Sequence, residues 1–281
     1  TRMSNKCMEF PGNLRRALTL SYDDGVEQDI RLIELMNKHG LKGTFNINSG
    51  LFAPEGKVYP AGHIHRRMSK SQAVRLYAQS GQEVALHCYE HGDLTMQLPG
   101  ASIRQVIRDK EELESLFGHI IRGMAYPYGP VSDAVAQALP ACGVAYSRTT
   151  VSTQGFDLPT DWLRLAATCH HNNPELMNLA RKLAEETPVY RPWLFYLWGH
   201  SYEFEARDNW NVIEEFAAYI GGREDIWYAT NIEVHDYVEA WRHMQSSADG
   251  NRVLNLSALT LYIRRGDQIF IAAPGQETVL A

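Results

Sequence analysis

The 281-residue sequence lacks several features that mark other classes of protein. Its four cysteines are scattered and form no C-x-x-C pair, so we expect free thiols rather than a disulfide framework or a cysteine metal site. No apolar run reaches the roughly 18 residues that a membrane-spanning helix needs. The formal net charge is −6 and no block of Lys or Arg occurs, so nucleic acid is not an expected partner.

The amino-terminal residues also lack the apolar core of a signal peptide. Thr1 and Arg2 precede Met3 and look like the remnant of a tag before a native start. These features predict a cytoplasmic location, with a trimmed secreted protein as the alternative.

What the sequence does have is a regular alternation of short β-like runs and helical patterns. Such alternation predicts parallel strand pairing, because parallel neighbours need crossover connections. About seven strand–helix units predict a distorted parallel (β/α) barrel, in which functional residues gather at the carboxyl ends of the strands. Strands are predicted at 16–22, 43–48, 83–87, 120–125, 144–148, 193–198 and 226–229, and helices at 26–39, 69–79, 102–117, 132–139, 174–186, 210–220 and 231–245. Ser69 or Ser71 is expected to cap the second of these helices, and Asn231 the last.

The carboxyl-terminal part has a different pattern. Two alternating runs, 259–264 and 268–272, flank Gly266-Asp267 and predict a β-hairpin. We therefore expect a barrel over residues 1–248 and a small hairpin extension of the same domain over residues 249–281.

Two adjacent carboxylates, Asp23 and Asp24, follow the first predicted strand and precede Gly25. Adjacent side chains point in different directions, so one can bind a metal ion while the other accepts a proton. The alternative is structural, because Asp-Asp-Gly also forms turns and helix caps.

Histidines follow two other predicted strands. His87 and His91 can converge on one ion if the chain between them coils through a helical turn, and together with a strand-end Asp they form a three-ligand site that stays open to water. His200 ends an apolar strand, where it can be a structural hydrogen bonder or a general acid. Trp198, two residues before it, offers an apolar wall.

Residues 126–130, Tyr-Pro-Tyr-Gly-Pro, form a stiff exit from another strand. A stiff turn can direct a backbone N–H at a substrate oxygen, although a plain turn is the simpler interpretation.

Taken together, these motifs resemble those of the polysaccharide deacetylase family, the NodB-homology group of carbohydrate esterases (family 4). The resemblance rests on residues 19–25, on the His87 and His91 pair, on Pro-Tyr-Gly at 127–129, and on His200. Order and spacing agree over about residues 16–245. Details such as Gly-His-Ser-Tyr-Glu at 199–203 are similar to the deacetylase-like domains associated with gellan lyase.

The resemblance implies a role for each matching residue. Asp24, His87 and His91 would hold one divalent ion, with zinc expected and cobalt, nickel or manganese as alternatives, since a set of two His and one Asp accepts several ions. Asp23 would be the general base that activates water. The roles implied for the remaining residues are oxyanion stabilisation by the backbone N–H of Tyr128 and protonation of the leaving amine by His200.

Two departures from the family pattern bear on the site. The third motif of the family begins with an Arg that pairs with the base, but this position is Ala125. We expect Arg148, near the end of the next predicted strand, to replace it, with Arg164 as the second candidate. The family has Leu where this chain has Trp198, which would reshape the acetyl pocket.

Two further clusters are candidates for the substrate site. Residues 157–162 superficially resemble an Asp-x-x-Asp-Trp motif of the family, and Asp161 and Trp162 are expected to contact the substrate. His170 and His171 are adjacent, and adjacent side chains usually point apart, so a surface location is expected and substrate binding is the alternative.

The expected activity is metal-dependent hydrolysis of N-acetyl or O-acetyl groups on amino sugars or polysaccharides, with an N-acetylated carbohydrate as partner. Hydrolysis of a cyclic amide on the same kind of barrel is one alternative. A carbohydrate-binding relative without activity is the other, and only the missing Arg at Ala125 favours it.

Overall fold

The structure, a computed structural model, describes residues 6–280, so Thr1, Arg2 and Met3 of the suggested tag junction lie outside the described residues. The described chain contains strands β1 Lys6–Glu9, β2 Arg16–Asp23, β3 Gly43–Ile47, β4 Glu83–Leu86, β5 Gly123–Ala125, β6 Tyr146–Ser152, β7 Leu165–Ala167, β8 Cys169–His170, β9 Trp193–Gly199, β10 Trp227–Tyr228, β11 Gln245–Ser246, β12 Arg252–Leu254, β13 Leu261–Arg265, β14 Gln268–Ala272 and β15 Glu277–Val279. Its α-helices are α1 Asp29–Lys38, α2 Lys70–Ser80, α3 Pro99–Phe117, α4 Asp133–Ala138, α5 Leu176–Glu185, α6 Tyr202–Ala206, α7 Trp210–Ile220 and α8 Asn231–Arg242.

The central sheet is parallel and has the strand order β7-β6-β5-β4-β3-β2-β9-β8, with β10 added beside β2. Residues 165–170 join its two ends, because β7 pairs with β6 and β8 pairs with β9. The amide of Thr168, between β7 and β8, donates to Tyr196 O at 2.8 Å. This closure makes the sheet a distorted (β/α) barrel, which confirms the predicted fold class.

Helices pack around the barrel with their apolar faces inward. The core between sheet and helices includes Leu32 and Met36 of α1 and Phe216 of α7, all buried. Ser69 caps α2 in a capping box with Gln72, as one of the two predicted caps.

The last helix begins one residue earlier than its predicted cap implies. Thr230, not Asn231, is the N-cap of α8, and its side chain accepts from the amide of Glu233. The Glu233 side chain in turn accepts from the Thr230 amide, and this reciprocal bonding fixes Thr230 as the cap. Asn231, expected to be the cap, is the first helical residue, and its amide side chain donates to Thr19 Oγ1 of β2 at 2.7 Å.

Strand β6 differs most from its prediction. It was expected to end at Arg148, but it runs from Tyr146 to Ser152 and places Arg148 third. The β-branched residues Thr149, Thr150 and Val151 continue the extended backbone, as their propensity favours.

The carboxyl-terminal hairpin is found as β13 and β14, joined by Gly266 and Asp267, and Gly266 has a φ of 63° that suits glycine. The hairpin extends through β1 into a three-stranded antiparallel sheet, and β11, β12 and β15 form another. Both additions were missed because their strands are short. Strand β11, which precedes residue 248, pairs with β12, which follows it. The expected division of the chain at residue 248 stays a prediction.

Across residues 6–280, none of the helices combines the length and the apolar character that crossing a membrane requires.

Candidate active site

Three side chains form the first group at the mouth of the barrel: Asp24, His87 and His91, called the Asp–His–His cluster below. Asp24 directly follows β2, and His87 directly follows β4. Asp24 Oδ1 lies 3.5 Å from His87 Nε2 and 3.3 Å from His91 Nε2. Ligands of one zinc ion lie roughly 3.3 Å apart when each is about 2.0 Å from the ion in a tetrahedron. The spacing of the cluster therefore suits a shared ion.

An unusual backbone places these side chains. Asp24, Cys88, His91 and Tyr128 have positive φ values of 86°, 65°, 56° and 63°. Such conformations are uncommon for residues with a Cβ atom, and they concentrate at functional sites. The two histidines therefore converge through a turn with left-handed residues, and not through the helical turn that their spacing suggested.

The polar atoms of the cluster fit a cation. His87 Nδ1 lies 2.7 Å from the carbonyl oxygen of Ala125, which can only accept, so Nδ1 carries the hydrogen and Nε2 offers a lone pair in the neutral ring. Both Asp24 Oδ1 and His87 Nε2 are buried and have no hydrogen-bond partner in the described part of the chain. Since buried polar atoms are normally satisfied, the two unpaired atoms indicate a ligand site for a metal ion.

Asp23 is held by a separate set of donors. Arg148 Nη2 donates to Asp23 Oδ2 at 2.5 Å and Nη1 donates to Oδ1 at 3.1 Å. Asn46 Nδ2 also donates to Oδ1, at 2.9 Å. Burial alone would raise the pKa of Asp23, but the charge and hydrogen bonds of Arg148 outweigh it and lower that pKa below its usual value.

Arg148 therefore lies where the sequence analysis expected a replacement for the missing Arg. It is fully buried, and its guanidinium carbon lies 4.5 Å from the centroid of the Trp198 ring. Trp198 thus packs against the partner of the base, while its expected effect on an acetyl pocket stays a prediction. Arg164, the second candidate, contacts Asp161 and Asp133 instead.

A second group of polar side chains surrounds Glu203 of α6 and is called the Glu203 cluster below. Glu203 Oε1 contacts His200 Nδ1 and lies 3.2 Å from His170 Nε2. Its other oxygen, Oε2, accepts from Asn172 Nδ2 at 2.8 Å and lies 3.7 Å from His171 Nε2. The expectation that both adjacent histidines lie at the surface is wrong for His171, which is fully buried, because β8 carries it into the closed sheet.

The electrostatics of His200 differ from those of an isolated histidine. Burial alone would lower the pKa of His200, but the hydrogen bond to Glu203 and the charges of Asp23 and Asp24 raise it above 6.5. His200 Nε2 lies 3.9 Å from Asp23 Oδ2. The two groups that the sequence analysis named as base and acid thus lie side by side, one favouring its ionised form and the other its protonated form.

Several residues of the site were missed from the sequence. His65 Nε2 lies 3.0 Å from the second oxygen of Asp24, and Arg67 Nη1 donates to the backbone oxygen of Asp24 at 2.7 Å. Both come from the long connection between β3 and α2, where the His-Ile-His run at 63–65 was the available signal. Glu203 was also missed, although it stands three residues after His200.

Tyr128 lies at the rim of the site. The residue is 67% exposed, and its ring meets the His91 ring edge-on with centroids 4.7 Å apart. Its turn therefore borders the Asp–His–His cluster, while its use as an oxyanion donor stays a prediction.

Asp161 and Trp162 are not brought to this site. They precede β7, whereas the clusters follow the carboxyl ends of their strands. Asp161 caps a short turn by accepting from the Leu163 amide, and Trp162 Nε1 donates to Glu239 of α8 at 2.6 Å. Their expected contact with substrate is corrected on this ground. The run 157–162 has three residues between its two Asp where the family motif has two, and it lies on the amino-terminal side of its strand.

Comparisons with known proteins bear on the family and the fold. A protein described as a polysaccharide deacetylase from Mycobacterium smegmatis is similar in structure, with 16% identity, 84% of this chain and 94% of that chain covered, and a TM-score of 0.58. Peptidoglycan deacetylase PdaC from Bacillus subtilis matches with 14% identity, 81% and 93% coverage, and a TM-score of 0.50. BA3943, a CE4 family pseudoenzyme from Bacillus anthracis, matches with 17% identity, 82% and 68% coverage, and a TM-score of 0.47.

A search of curated proteins finds no match to the sequence. The family model described as polysaccharide deacetylase matches residues 12–147. This range contains Asp23 and the whole Asp–His–His cluster, and it ends just before Arg148. The similarity to the gellan-lyase branch is not addressed by these matches and stays a prediction. Residues 12–147, just under half of the chain, therefore match a polysaccharide deacetylase domain.

Proposed function

We propose that this chain is a divalent-metal-dependent deacetylase that hydrolyses N-acetyl groups of amino sugars in a carbohydrate. One observation carries the proposal: two unpaired buried ligand atoms of the Asp–His–His cluster lie near Asp23, whose pKa is lowered by Arg148, and His200, whose pKa is raised by Glu203. The match of residues 12–147 to the polysaccharide deacetylase family model supports the substrate class.

Asp24, His87 and His91 would hold the ion. When bound, a divalent ion of this kind polarises the acyl oxygen and makes water a better nucleophile near neutral pH. The neutral tautomer of His87, fixed by the Ala125 carbonyl, supports a role as ligand because imidazole binds metals through an unprotonated nitrogen. Zinc is the ion that we expect, since two His and one Asp with open positions is a common catalytic zinc set.

Asp23 is the proton acceptor. Its carboxylate stays ionised because Arg148 donates to both of its oxygens, and it therefore can take a proton from the attacking water. The same two bonds fix the carboxylate in one orientation, which a general base requires.

His200 is the proton donor. Water adds to the acyl carbon, the C–N bond breaks, and the nitrogen receives a proton from His200 as the amine leaves, so that acetate and a free amino sugar form. Amines are poor leaving groups without a proton, whereas alkoxides depend on it less. The protonated state of His200 thus favours amide over ester substrates.

A purely carbohydrate-binding role is less well supported. Only the missing Arg at Ala125 favoured it, and Arg148 supplies a guanidinium to Asp23 from the neighbouring strand. No contact in residues 6–280 favours a cyclic amide over an open-chain one. Hydrolysis of a cyclic amide is therefore measured as a separate part of the test.

The test is acetate release from a panel of N-acetylated mono- and oligosaccharides, run beside O-acetylated sugars and a cyclic amide. We expect release from at least one N-acetylated sugar, loss of activity after chelation, and recovery on adding zinc. Asp23→Asn serves as the inactive control that keeps its metal. Ring opening without acetate release would overturn the proposal in favour of the cyclic-amide alternative, and metal binding without any turnover would overturn it in favour of a binding protein.

A further inference from the structure

The donors around Glu203 have assignable hydrogens. The backbone amide of Asn172 donates to His170 Nδ1 at 3.0 Å, so the hydrogen of the neutral His170 ring resides on Nε2, which faces Glu203 Oε1 at 3.2 Å. Likewise His200 Nδ1 faces Glu203 and carries a hydrogen, since the carboxylate only accepts. Glu203 therefore receives several N–H donors at once.

This arrangement differs from a metal site. His170, His200 and Glu203 lie close enough together to be considered as ligands of an ion. A ligating nitrogen must offer a lone pair, but His170 Nε2 carries a hydrogen while its Nδ1 accepts from the backbone. His200 Nδ1 is also in direct hydrogen-bond contact with the carboxylate. The geometry therefore favours hydrogen bonding.

Charge compensation makes Glu203 unusual among the carboxylates of the barrel mouth. Asp23 has Arg148 as its cation, and Asp24 has the ligand site. Within residues 6–280, neither Arg nor Lys forms an ion pair with Glu203, and its ionic partners are His170, His171 and His200. A part-buried carboxylate without a permanent cation stabilises a protonated histidine beside it.

We infer that Glu203 is the positioning residue that orients His200 and keeps it protonated, an inference that rests on the proposed function. Because Glu203 binds Nδ1, the other ring nitrogen, Nε2, is turned toward Asp23 and the reacting groups. His170 and Asn172 donate to the same carboxylate and hold it in place.

The groups that face His200 come from four elements. Glu203 and Tyr202 belong to α6, His170 to β8, and Trp198 to β9. Asp23 ends β2 and Asp24 directly follows it, and the charges of both act on His200. Glu203 alone among them is a carboxylate in hydrogen-bond contact with the His200 ring. Neutralising it should therefore change the titration of His200 more than any other single change among these groups.

The experiment compares Glu203→Gln with Glu205→Gln in the metal-loaded full chain. Glu205 lies on the same helix but pairs with Arg66 and Gln28, so it is the matched control. Histidine NMR with labelled rings measures the His200 titration without any substrate. In Glu203→Gln we expect the His200 pKa to fall by about one pH unit, since an adjacent opposite charge shifts a pKa by roughly one to three. Glu205→Gln should leave it unchanged.

Activity provides the second readout. The alkaline limb of the pH–rate profile should move to lower pH in Glu203→Gln by the same amount, so the loss of kcat should be about tenfold at high pH and small at low pH. Glu203→Asp keeps the charge and should restore most of the His200 titration, which also guards against a folding defect in the first variant.

An unchanged His200 titration in folded Glu203→Gln would overturn the inference. So would two bound ions in the wild type and one in Glu203→Gln, which would make the cluster a second metal site. The NMR result does not depend on turnover. A shifted titration in a protein that releases no acetate would therefore contradict the proposed function while supporting the positioning role.

Discussion

Two carboxylate–histidine groups share the mouth of this barrel, and they differ in whether every oxygen of the carboxylate has a hydrogen-bond donor. In the Asp–His–His cluster, Asp24 Oδ1 and His87 Nε2 face each other without a hydrogen-bond partner. In the Glu203 cluster, both oxygens of the carboxylate accept hydrogens from side-chain donors. The same residue types therefore suit metal binding in the Asp–His–His cluster and proton binding in the Glu203 cluster.

The difference arises outside the clusters. The Ala125 carbonyl holds the hydrogen of His87 on Nδ1 and leaves its Nε2 as a lone pair, whereas the Asn172 amide holds the hydrogen of His170 on the nitrogen that faces the carboxylate. One backbone group per ring selects the tautomer. Metal sites and proton sites cannot be distinguished by counting His and Glu residues.

The largest effect is expected from removing a ligand. His87→Ala should lower metal affinity by at least about 100-fold, since even the loss of a group that only orients a ligand costs about 10–100-fold. Activity should disappear with the metal. Elemental analysis checks this against His243→Ala, a histidine whose side chain is 76% exposed at the end of α8. Equal metal content in His87→Ala and wild type would remove the cluster from the proposal.

The next largest effect concerns the base. Asp23→Asn should lower kcat by about 10²–10⁴-fold while metal content stays at the wild-type value, because the Asp–His–His cluster is intact. It also leaves Arg148 buried without its carboxylate, so the free energy of unfolding should fall by about 3–5 kcal/mol. Denaturant unfolding and acetate release on the same sample measure both.

The control for the base is Asp161→Asn. Asp161 contacts Arg164 and a local amide, so its loss should change activity less than twofold, on the order of a surface substitution. A loss in Asp161→Asn as large as in Asp23→Asn would restore Asp161 to the site and refute its placement.

The acid should be visible in the pH dependence. The pKa of Asp23 is lowered and that of His200 is raised, so activity should be lost as pH falls through the Asp23 pKa, below 3.8, and as pH rises through the His200 pKa, above 6.5. The profile is then a bell with a broad top. His200→Ala should reduce kcat by about 10²–10⁴-fold and abolish the alkaline limb. A variant that retains this limb would assign the acid to another residue.

The smallest effect is expected at Trp198. Its ring lies over the Arg148 guanidinium, a contact worth about 0.5–2 kcal/mol, and Trp198→Phe should keep a weaker version of it. We expect kcat/KM to fall by less than about tenfold, with Trp193→Phe at the far end of the same strand as control. A 100-fold fall would mean that Trp198 contacts the substrate directly.

Much of the fold followed from local pattern. Alternation of strands and helices predicted the parallel barrel, and the terminal hairpin followed from two short runs around Gly266. The closure through residues 165–170 did not follow, because β7 and β8 have three and two residues and no periodicity of their own. Strand β6 ran past its predicted end because its β-branched residues and its pairing with β7 continue beyond the apolar stretch.

For the site, the sequence by itself determined which residues stand at strand ends, because Asp23, Asp24, His87 and His200 follow runs that any parallel barrel must align at one face. Only the tertiary structure decided their partners. Arg148 donates to Asp23, which is 125 residues away in the sequence, and His65 contacts Asp24, which is 41 residues away. No short sequence motif predicts a hydrogen bond between residues so far apart. The tertiary structure also decided which nitrogen of each histidine carries the hydrogen. Backbone N–H and C=O groups select the tautomer, and these groups are the same in every sequence, so only their place in the fold distinguishes one histidine from another.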